Sequence, residues 1–176
     1  MSGKSPSKSP VRKRLDGYWK LELANAALIP VFVVAVCHIY GEGAGWLTWL
    51  ALLPTAGLLL LGGLYWRGKL RALEGSERAL DAALRLADKA QGPSLVLSLL
   101  SVALVLADLL IGLQGVTGTD RWAAGGSGIL ALLEYVNYYH RQLQHFDNAA
   151  DFKRLLTGRG LRPAKMAIDL AAWRGD

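Results

Sequence analysis

The chain has 176 residues, of which 52% are hydrophobic, and it carries a net charge of +6. Its length is that of one domain, and its apolar content exceeds the roughly 45–50% of an average soluble protein. A single cysteine, Cys37, excludes an intramolecular disulfide framework and a CxxC site. The positive charge does not predict a nucleic-acid partner, because membrane proteins gather Lys and Arg on their cytoplasmic side.

The chain begins with a basic segment, residues 1–17, whose first part consists almost wholly of Ser, Pro, Lys and Arg. Such a segment cannot bury enough apolar surface to offset the entropy cost of ordering, so we predict a disordered cytoplasmic tail. It acts either as a topology signal or as a polybasic contact to anionic lipid. The apolar run that follows lacks a small-residue cleavage pattern, so we interpret it as a membrane helix and not as a signal peptide.

Four apolar segments follow one another within residues 18–141, and each predicts a membrane-spanning helix. They cover about 21–40, 46–66, 94–114 and 122–141. Twenty residues at about 1.5 Å each match the ~30 Å hydrocarbon core of a bilayer. The predicted fold class is therefore all-α, an integral membrane four-helix bundle.

The positions of the Lys and Arg residues predict how this bundle is oriented. Six precede the first helix, six lie in residues 67–93 and seven lie from Arg141, the end of the fourth helix, onward, whereas the turns on the opposite side hold one. By the positive-inside rule, nineteen of the twenty lie in the cytoplasm, and so do both termini. The compact loops and this basic inner face are typical of a bacterial inner-membrane protein.

Two further helical segments are predicted on the cytoplasmic side. Leu and Ala recur at helical spacing over 70–91, which predicts an amphipathic helix between the second and third membrane helices, ended by Gly92-Pro93. It either docks a partner or lies on the bilayer or the base of the bundle. After the fourth helix, residues 142–176 predict a helical extension. In it the fourth helix continues toward Thr157, and a short interfacial helix with Met166, Leu170 and Trp173 on one face comes last.

Small and polar side chains form stripes on the second and third helices. The third helix repeats them at spacings of three and four, and the second at spacings of seven. The stripe residues are Ser94, Ser98, Ser101 and Gly112 on the third helix, and Thr48, Thr55 and Gly62 on the second. Membrane helices approach one another through such residues, so the stripes predict packing faces, either within one bundle or between protomers.

Glu134 is the acid that lies deepest in an apolar segment, twelve residues beyond Trp122. An ionisable residue in a membrane helix is costly, which makes it a candidate for function. We expect it to be the most sensitive residue of the chain. The rest of the predicted polar cluster comprises Asn137, Tyr138 and Arg141 on the same helix face, and Glu22 and Asn25 from the first helix. Arg141 is the expected counter-charge of Glu134.

His38 and Asp108 lie at matching heights on the first and third helices and form a second predicted polar pair. No metal site, cofactor or catalytic group is predicted. His140 and His145 are five residues apart and point in different directions from one helix. The motifs of serine hydrolases, zinc proteases and phosphate-binding loops are absent from the sequence.

Two classes of function fit this sequence. The favoured hypothesis is a non-enzymatic multi-pass membrane protein that assembles, with itself as a homo-oligomer or with a partner membrane protein, through the small-residue stripes. The alternative is an oligomeric small channel or a proton- or cation-coupled transporter that uses Glu134 and Asp108. A membrane enzyme is a distant third.

Overall fold

The computed structural model describes residues 10–41, 43–143 and 161–175, and this part of the chain is all-α. No β-strand occurs among these residues, which contain only an isolated bridge between Arg141 and Pro163. The five helices are α1 (Pro10–Tyr40), α2 (Trp46–Leu73), α3 (Arg78–Ile111), α4 (Gly118–Tyr139) and α5 (Lys165–Arg174).

Three of the described helices, α1, α2 and α3, are long and apolar enough to cross a membrane. In the most apolar stretch of α2, 61% of the residues are buried, against 22% in α3 and 11% in α1. The second helix is therefore central, since it packs against α1, α3 and α4. The helix α4 is less apolar because of its Gly-rich first half and because of Glu134 and Asn137.

Short connections of four to six residues join the helices from α1 to α4, so each helix runs back along the one before it. The helices thus share two ends. The "basic end" holds the starts of α1 and α3, the last turns of α2 and α4, and α5. The "far end" holds the end of α1, the start of α2, the end of α3 and the start of α4.

The first helix begins earlier than predicted. Residues 10–17 belong to α1, so the prediction of disorder over 1–17 is wrong for this part, while residues 1–9 lie outside the described residues. Local contacts explain the helical start. Asp16 accepts a hydrogen bond from the indole of Trp19 at 3.1 Å and pairs with Lys20 at 2.7 Å, which are the spacings that stabilise a helix face.

The predicted separate helix over 70–91 is wrong. Residues 70–73 complete α2, a tight turn follows at Gly75, and α3 runs without a break through Gly92-Pro93 to Ile111. Packing holds this helix on both sides of the proline. Ala87 is fully buried below it, and Ser98 is fully buried above it. Tertiary contacts therefore override the local helix-breaking tendency of Gly-Pro.

The fourth helix does not continue toward Thr157. It ends at Tyr139, and His140 takes a non-helical conformation. Residues 144–160 of the predicted extension lie outside the described residues. The segment that begins at Leu161 lies next to the end of α4. There the backbone N–H of Gln142 donates to the carbonyl of Arg162 at 2.9 Å.

The last helix, α5, packs against the basic end of α3 and α4. Met166 and Leu170 are buried in a core that includes Tyr65, Leu84 and Tyr139. Polar contacts surround this core. Asp169 accepts a hydrogen bond from Tyr65 at 2.6 Å and pairs with Lys69 at 2.8 Å, Trp173 donates to Asp81 at 2.8 Å, and Arg174 pairs with Asp88 at 2.5 Å.

Candidate functional site

The small-residue stripes pack between helices of the same chain. Ser98 and Ser101 of α3 are fully buried, as are Thr48 and Thr55 of α2. The hydroxyl of Thr55 lies 2.9 Å from two carbonyl oxygens, that of Ala51 in its own helix and that of Ser127 in α4. Small side chains thus allow α2, α3 and α4 to approach closely.

The ends of the α3 stripe behave differently from its middle. Ser94 is half-buried, and its carbonyl accepts the hydroxyl of Ser98 at 2.7 Å. Gly112 is exposed and follows the last turn of α3 with a φ of 64°, a conformation that favours glycine. The prediction that Gly112 belongs to a packing face is therefore wrong, since its role is to end the helix.

Three helices meet in one polar layer near the basic end. Glu22 of α1 is 7% exposed and Tyr138 of α4 is 3% exposed, while Glu134 is half-buried. Gly62 of α2 makes room for them, because a β-carbon at that position would collide with the hydroxyl group of Tyr138. We call Glu22, Glu134, Asn137 and Tyr138 the carboxyl layer.

The hydroxyl of Tyr138 is the centre of the carboxyl layer. It interacts with the carboxyl groups of both Glu22 and Glu134. Its oxygen is fully buried, yet no described residue gives it a hydrogen bond of good geometry. Asn137 supports one of the two acids, since its amide nitrogen lies 3.4 Å from Glu134 Oε2 and its amide oxygen accepts the backbone N–H of Leu143 at 2.8 Å.

Two members of the predicted cluster lie outside the carboxyl layer. Arg141 is exposed, and its guanidinium donates to the carbonyl of Leu161 at 3.3 Å, so the predicted pairing with Glu134 is wrong. The reason is that α4 ends before Arg141, which turns its side chain away from the face of Glu134. Asn25 is half-buried on α1, and among the described residues it forms no bond to the layer.

The predicted pair of His38 and Asp108 does not form. Asp108 is 2% exposed and forms an ion pair with Arg121, which lies across the connection between α3 and α4. Asp108 also accepts the backbone N–H of Leu113 at 2.9 Å. His38 is exposed on α1, with its Nδ1 2.9 Å from the carbonyl oxygen of Val34.

A further buried acid, Asp120, was not singled out from the sequence. It is fully buried at the first turn of α4, and its Oδ1 accepts both the backbone N–H and the hydroxyl of Thr48, at 2.8 Å and 2.5 Å. Thr48 stands in the first turn of α2, where backbone N–H groups lack helical partners. Asp120 therefore joins the first turns of two helices.

A sequence signal for Asp120 exists. Thr117 precedes it by three residues, and the Thr117 hydroxyl accepts the backbone N–H of Asp120 at 3.1 Å. Threonine followed three residues later by an acid resembles a capping box, although here the acid reaches α2 and not its own cap. Its position in a predicted loop hid this role.

The chemistry of the carboxyl layer follows from its composition. Two acids from different helices face one hydroxyl, and neither acid has a cationic partner among the described residues. Asp108, in contrast, is neutralised by Arg121. The described part of the chain also holds no group of three His, Cys, Asp or Glu side chains arranged to bind a metal ion.

Comparison with known proteins gives no match of this chain to a protein-family model, to a curated protein or to a solved structure.

Proposed function

We propose that this chain is a four-span membrane protein of the bacterial inner membrane with both termini in the cytoplasm. The span that needs argument is α4. Its 22 residues extend about 33 Å at ~1.5 Å each, which suits a bilayer core. Of its polar residues, Asp120, Ser127 and Tyr138 are buried against neighbouring helices, and Glu134 and Asn137 are half-buried. The basic end then lies in the cytoplasm.

Reporter fusions test this topology. A fusion after Gly43 or Gly118 should report the outer side of the membrane, and a fusion after Gly75 or Gly158 the cytoplasm. An outer signal after both Gly118 and Gly158 would mean that α4 does not cross the membrane, and the four-span arrangement would be wrong.

The function that we propose for this membrane protein is non-enzymatic. Copies of the chain assemble with one another through one groove. The groove runs between α1 and α4 and has a volume of about 200 Å³. Its walls are Ile29, Phe32, Val33 and Val36 of α1, and Trp122, Ala123, Gly126, Ser127 and Leu130 of α4. This groove is the observation that carries the proposal.

The two sides of the Gly-rich run in α4 differ in a way that supports an intermolecular role. Gly128 packs closely on α3, where a β-carbon would lie 3.2 Å from Val102 and 3.4 Å from Ser101. Gly126 faces the groove, and a β-carbon there would meet nothing within 4 Å. The stripes that could have served assembly are used inside the chain, whereas the small residues on this side of α4 have no helix against them.

The occupant we propose is α1 of a second copy. The outward side of α1 carries large exposed apolar residues, among them Leu28, Val31, Phe32 and Ile39. Such side chains fill a groove floored by glycine and alanine, which is how membrane helices pack without a hydrophobic driving force. A twofold pair would place α1 of each copy in the groove of the other.

One glycine comparison tests this assembly. Gly126→Leu fills the groove and should convert the oligomer to a monomer in nanodiscs, as measured by mass photometry or native mass spectrometry. Gly57→Leu is the matched control, because Gly57 is an exposed helical glycine with nothing within 4 Å and lies outside the groove. A wild-type protein that is monomeric in nanodiscs, or an equal effect of the two variants, would contradict the proposal.

The transport alternative has support at one of its two acids. Asp108 is held by Arg121 in an ion pair and is not free to carry an ion. Glu134 belongs to the carboxyl layer, where no cation neutralises it among the described residues. Because α2 fills the centre of the single chain, a transport pathway would have to lie between copies.

A further inference from the structure

The carboxyl layer has a feature that the assembly proposal does not use. Glu22 and Glu134 belong to α1 and α4, two helices that touch only over a short region. Their carboxyl groups nevertheless converge on one hydroxyl, that of Tyr138. Two acids that meet in an apolar interior cannot both be ionised without a neutralising group, because like charges at such a site repel strongly.

The charged groups around the layer do not provide that neutralising group. On α2 and α5, Lys69 pairs with Asp169, which also accepts the hydroxyl of Tyr65. On α3, Asp88 pairs with Arg174 of α5.

Lys20, two residues before Glu22, pairs with Asp16 at 2.7 Å, and two arginines are also engaged elsewhere. The guanidinium of Arg67 lies 5.7 Å from the ring centre of Trp19, and that of Arg141 contacts the carbonyl of Leu161. Within the described ranges 10–41, 43–143 and 161–175, no cation therefore reaches either carboxyl group.

The Tyr138 hydroxyl gives a second reason to expect a proton at the two acids. It belongs to a residue that is 3% exposed, it interacts with both acids, and it lacks a well-formed hydrogen bond to any described residue. A buried hydroxyl without a partner is costly. A proton on one of the acids would let the hydroxyl donate to the ionised carboxylate and accept from the protonated one.

We infer that Glu22 and Glu134 together hold one exchangeable proton, with Tyr138 as the hydroxyl between them. The site binds and releases this proton as a unit, so the bound proton belongs to the pair and not to either acid. Release leaves two negative charges facing each other across α1 and α4. Uptake removes that repulsion and holds the two helices together.

Infrared spectroscopy of the full chain in nanodiscs tests this inference. A protonated carboxyl group and a carboxylate absorb at different positions, so the number of protonated groups per chain can be measured directly. Near neutral pH the wild-type protein should show one protonated carboxyl group, which disappears as the pH is raised. Glu22→Gln and Glu134→Gln should each lower the pH at which this signal is lost, because the remaining acid, although still shielded from water, no longer faces a second negative charge.

Two further variants separate a shared proton from a general change in structure. Tyr138→Phe keeps the ring and removes the hydroxyl, so the loss of the proton should occur at a different pH from that of the wild-type protein. Asp108→Asn removes a buried acid that is already neutralised by Arg121, and should leave the protonated signal unchanged. Size-exclusion chromatography and thermal unfolding of each variant show whether it has folded.

Several results would overturn the inference. One is the absence of a protonated carboxyl signal in the wild-type protein near neutral pH, and another is a signal that both single Gln variants lose at the same pH as the wild-type protein. A third is a signal that sodium chloride removes and choline chloride does not, which would assign the site to a small cation. These outcomes do not depend on the number of copies in the oligomer, so they are distinct from a failure of the assembly proposal.

Discussion

Buried acids at the two ends of these helices are treated in opposite ways. At the far end, Asp108 pairs with Arg121, and Asp120 accepts two hydrogen bonds from Thr48. At the basic end, Glu22 and Glu134 share a tyrosine hydroxyl and have no cation beside them among the described residues.

The difference separates two roles for an acid in an apolar setting. An acid with fixed partners, a cation for Asp108 and the N–H and hydroxyl of Thr48 for Asp120, stabilises one arrangement of helices, and its removal leaves those partners unsatisfied. Two acids that face each other across one hydroxyl, with no described cation beside them, lose their mutual repulsion when a proton binds from outside the chain. We therefore expect the far-end acids to matter for stability and the basic-end acids to matter for proton exchange.

The largest expected effect is at Asp120. Asp120→Ala leaves the backbone N–H and the hydroxyl of Thr48 buried without their acceptor, which should cost about 3 kcal/mol of stability. Thermal or denaturant unfolding in detergent would measure it. Asp88→Ala, which removes an exposed ion pair with Arg174, is the control and should cost less than about 1 kcal/mol. If the two variants lost the same free energy of unfolding, the buried Asp120 would matter no more for stability than the exposed Asp88.

The next effect concerns the pair of Asp108 and Arg121. Arg121→Gln leaves the buried Asp108 carboxylate with only the N–H of Leu113, and the cost should be about 2 kcal/mol, reduced by the partial exposure of Arg121. The double variant with Asp108→Asn should cost less than the sum of the two single changes, because both remove one interaction. Additive costs would show that the pair is not coupled.

A smaller effect on stability is expected at Glu134. Glu134→Gln keeps the hydrogen bonds of the side chain and removes the charge, so the free energy of unfolding should change by less than about 1 kcal/mol. If this change destabilised the protein as much as Asp120→Ala, the acid would be structural, and the contrast between the two ends would be lost.

The smallest effect lies outside the proposed spans, where α5 contacts the first turns of α3. The indole N–H of Trp173, and then Arg85, hold the pKa of Asp81 below its ordinary value. A lowered pKa in the folded state means that this contact stabilises above the ordinary pKa of an aspartate and is lost as the pH falls through the lowered value. Trp173 fluorescence should therefore change on acidification in the wild-type protein and remain constant in Asp81→Asn.

The sequence predicts the helical class and the location of the apolar helices, because apolar runs and charge distribution are properties of the chain itself. It does not predict partners across helices. Matching heights predict His38 as the partner of Asp108, whereas its partner in the structure, Arg121, is the only Lys or Arg between the third and fourth apolar segments. That isolated charge was the signal that could have identified the pair.

Other errors came from local signals that tertiary contacts override. Gly92-Pro93 predicts a helix end, yet packing on both sides of it maintains α3. Arg141 continues the helical spacing of Glu134, yet α4 ends two residues before it, and nothing in the local sequence marks that end. The carboxyl layer was found in part, because acids in apolar segments are conspicuous whatever their contacts.

The unbroken course of α3 has a mechanical consequence. Its 34 residues form a rod of about 51 Å at ~1.5 Å per residue, well beyond the thickness of a bilayer core. The rod has one soft joint, at Pro93, where a helical hydrogen bond is missing. A lateral force on the part of α3 before Pro93, which carries Asp81 and Asp88, would bend the helix at Pro93. A displacement of α5 would therefore change the helix angle at Pro93 before it moved the far end of α3.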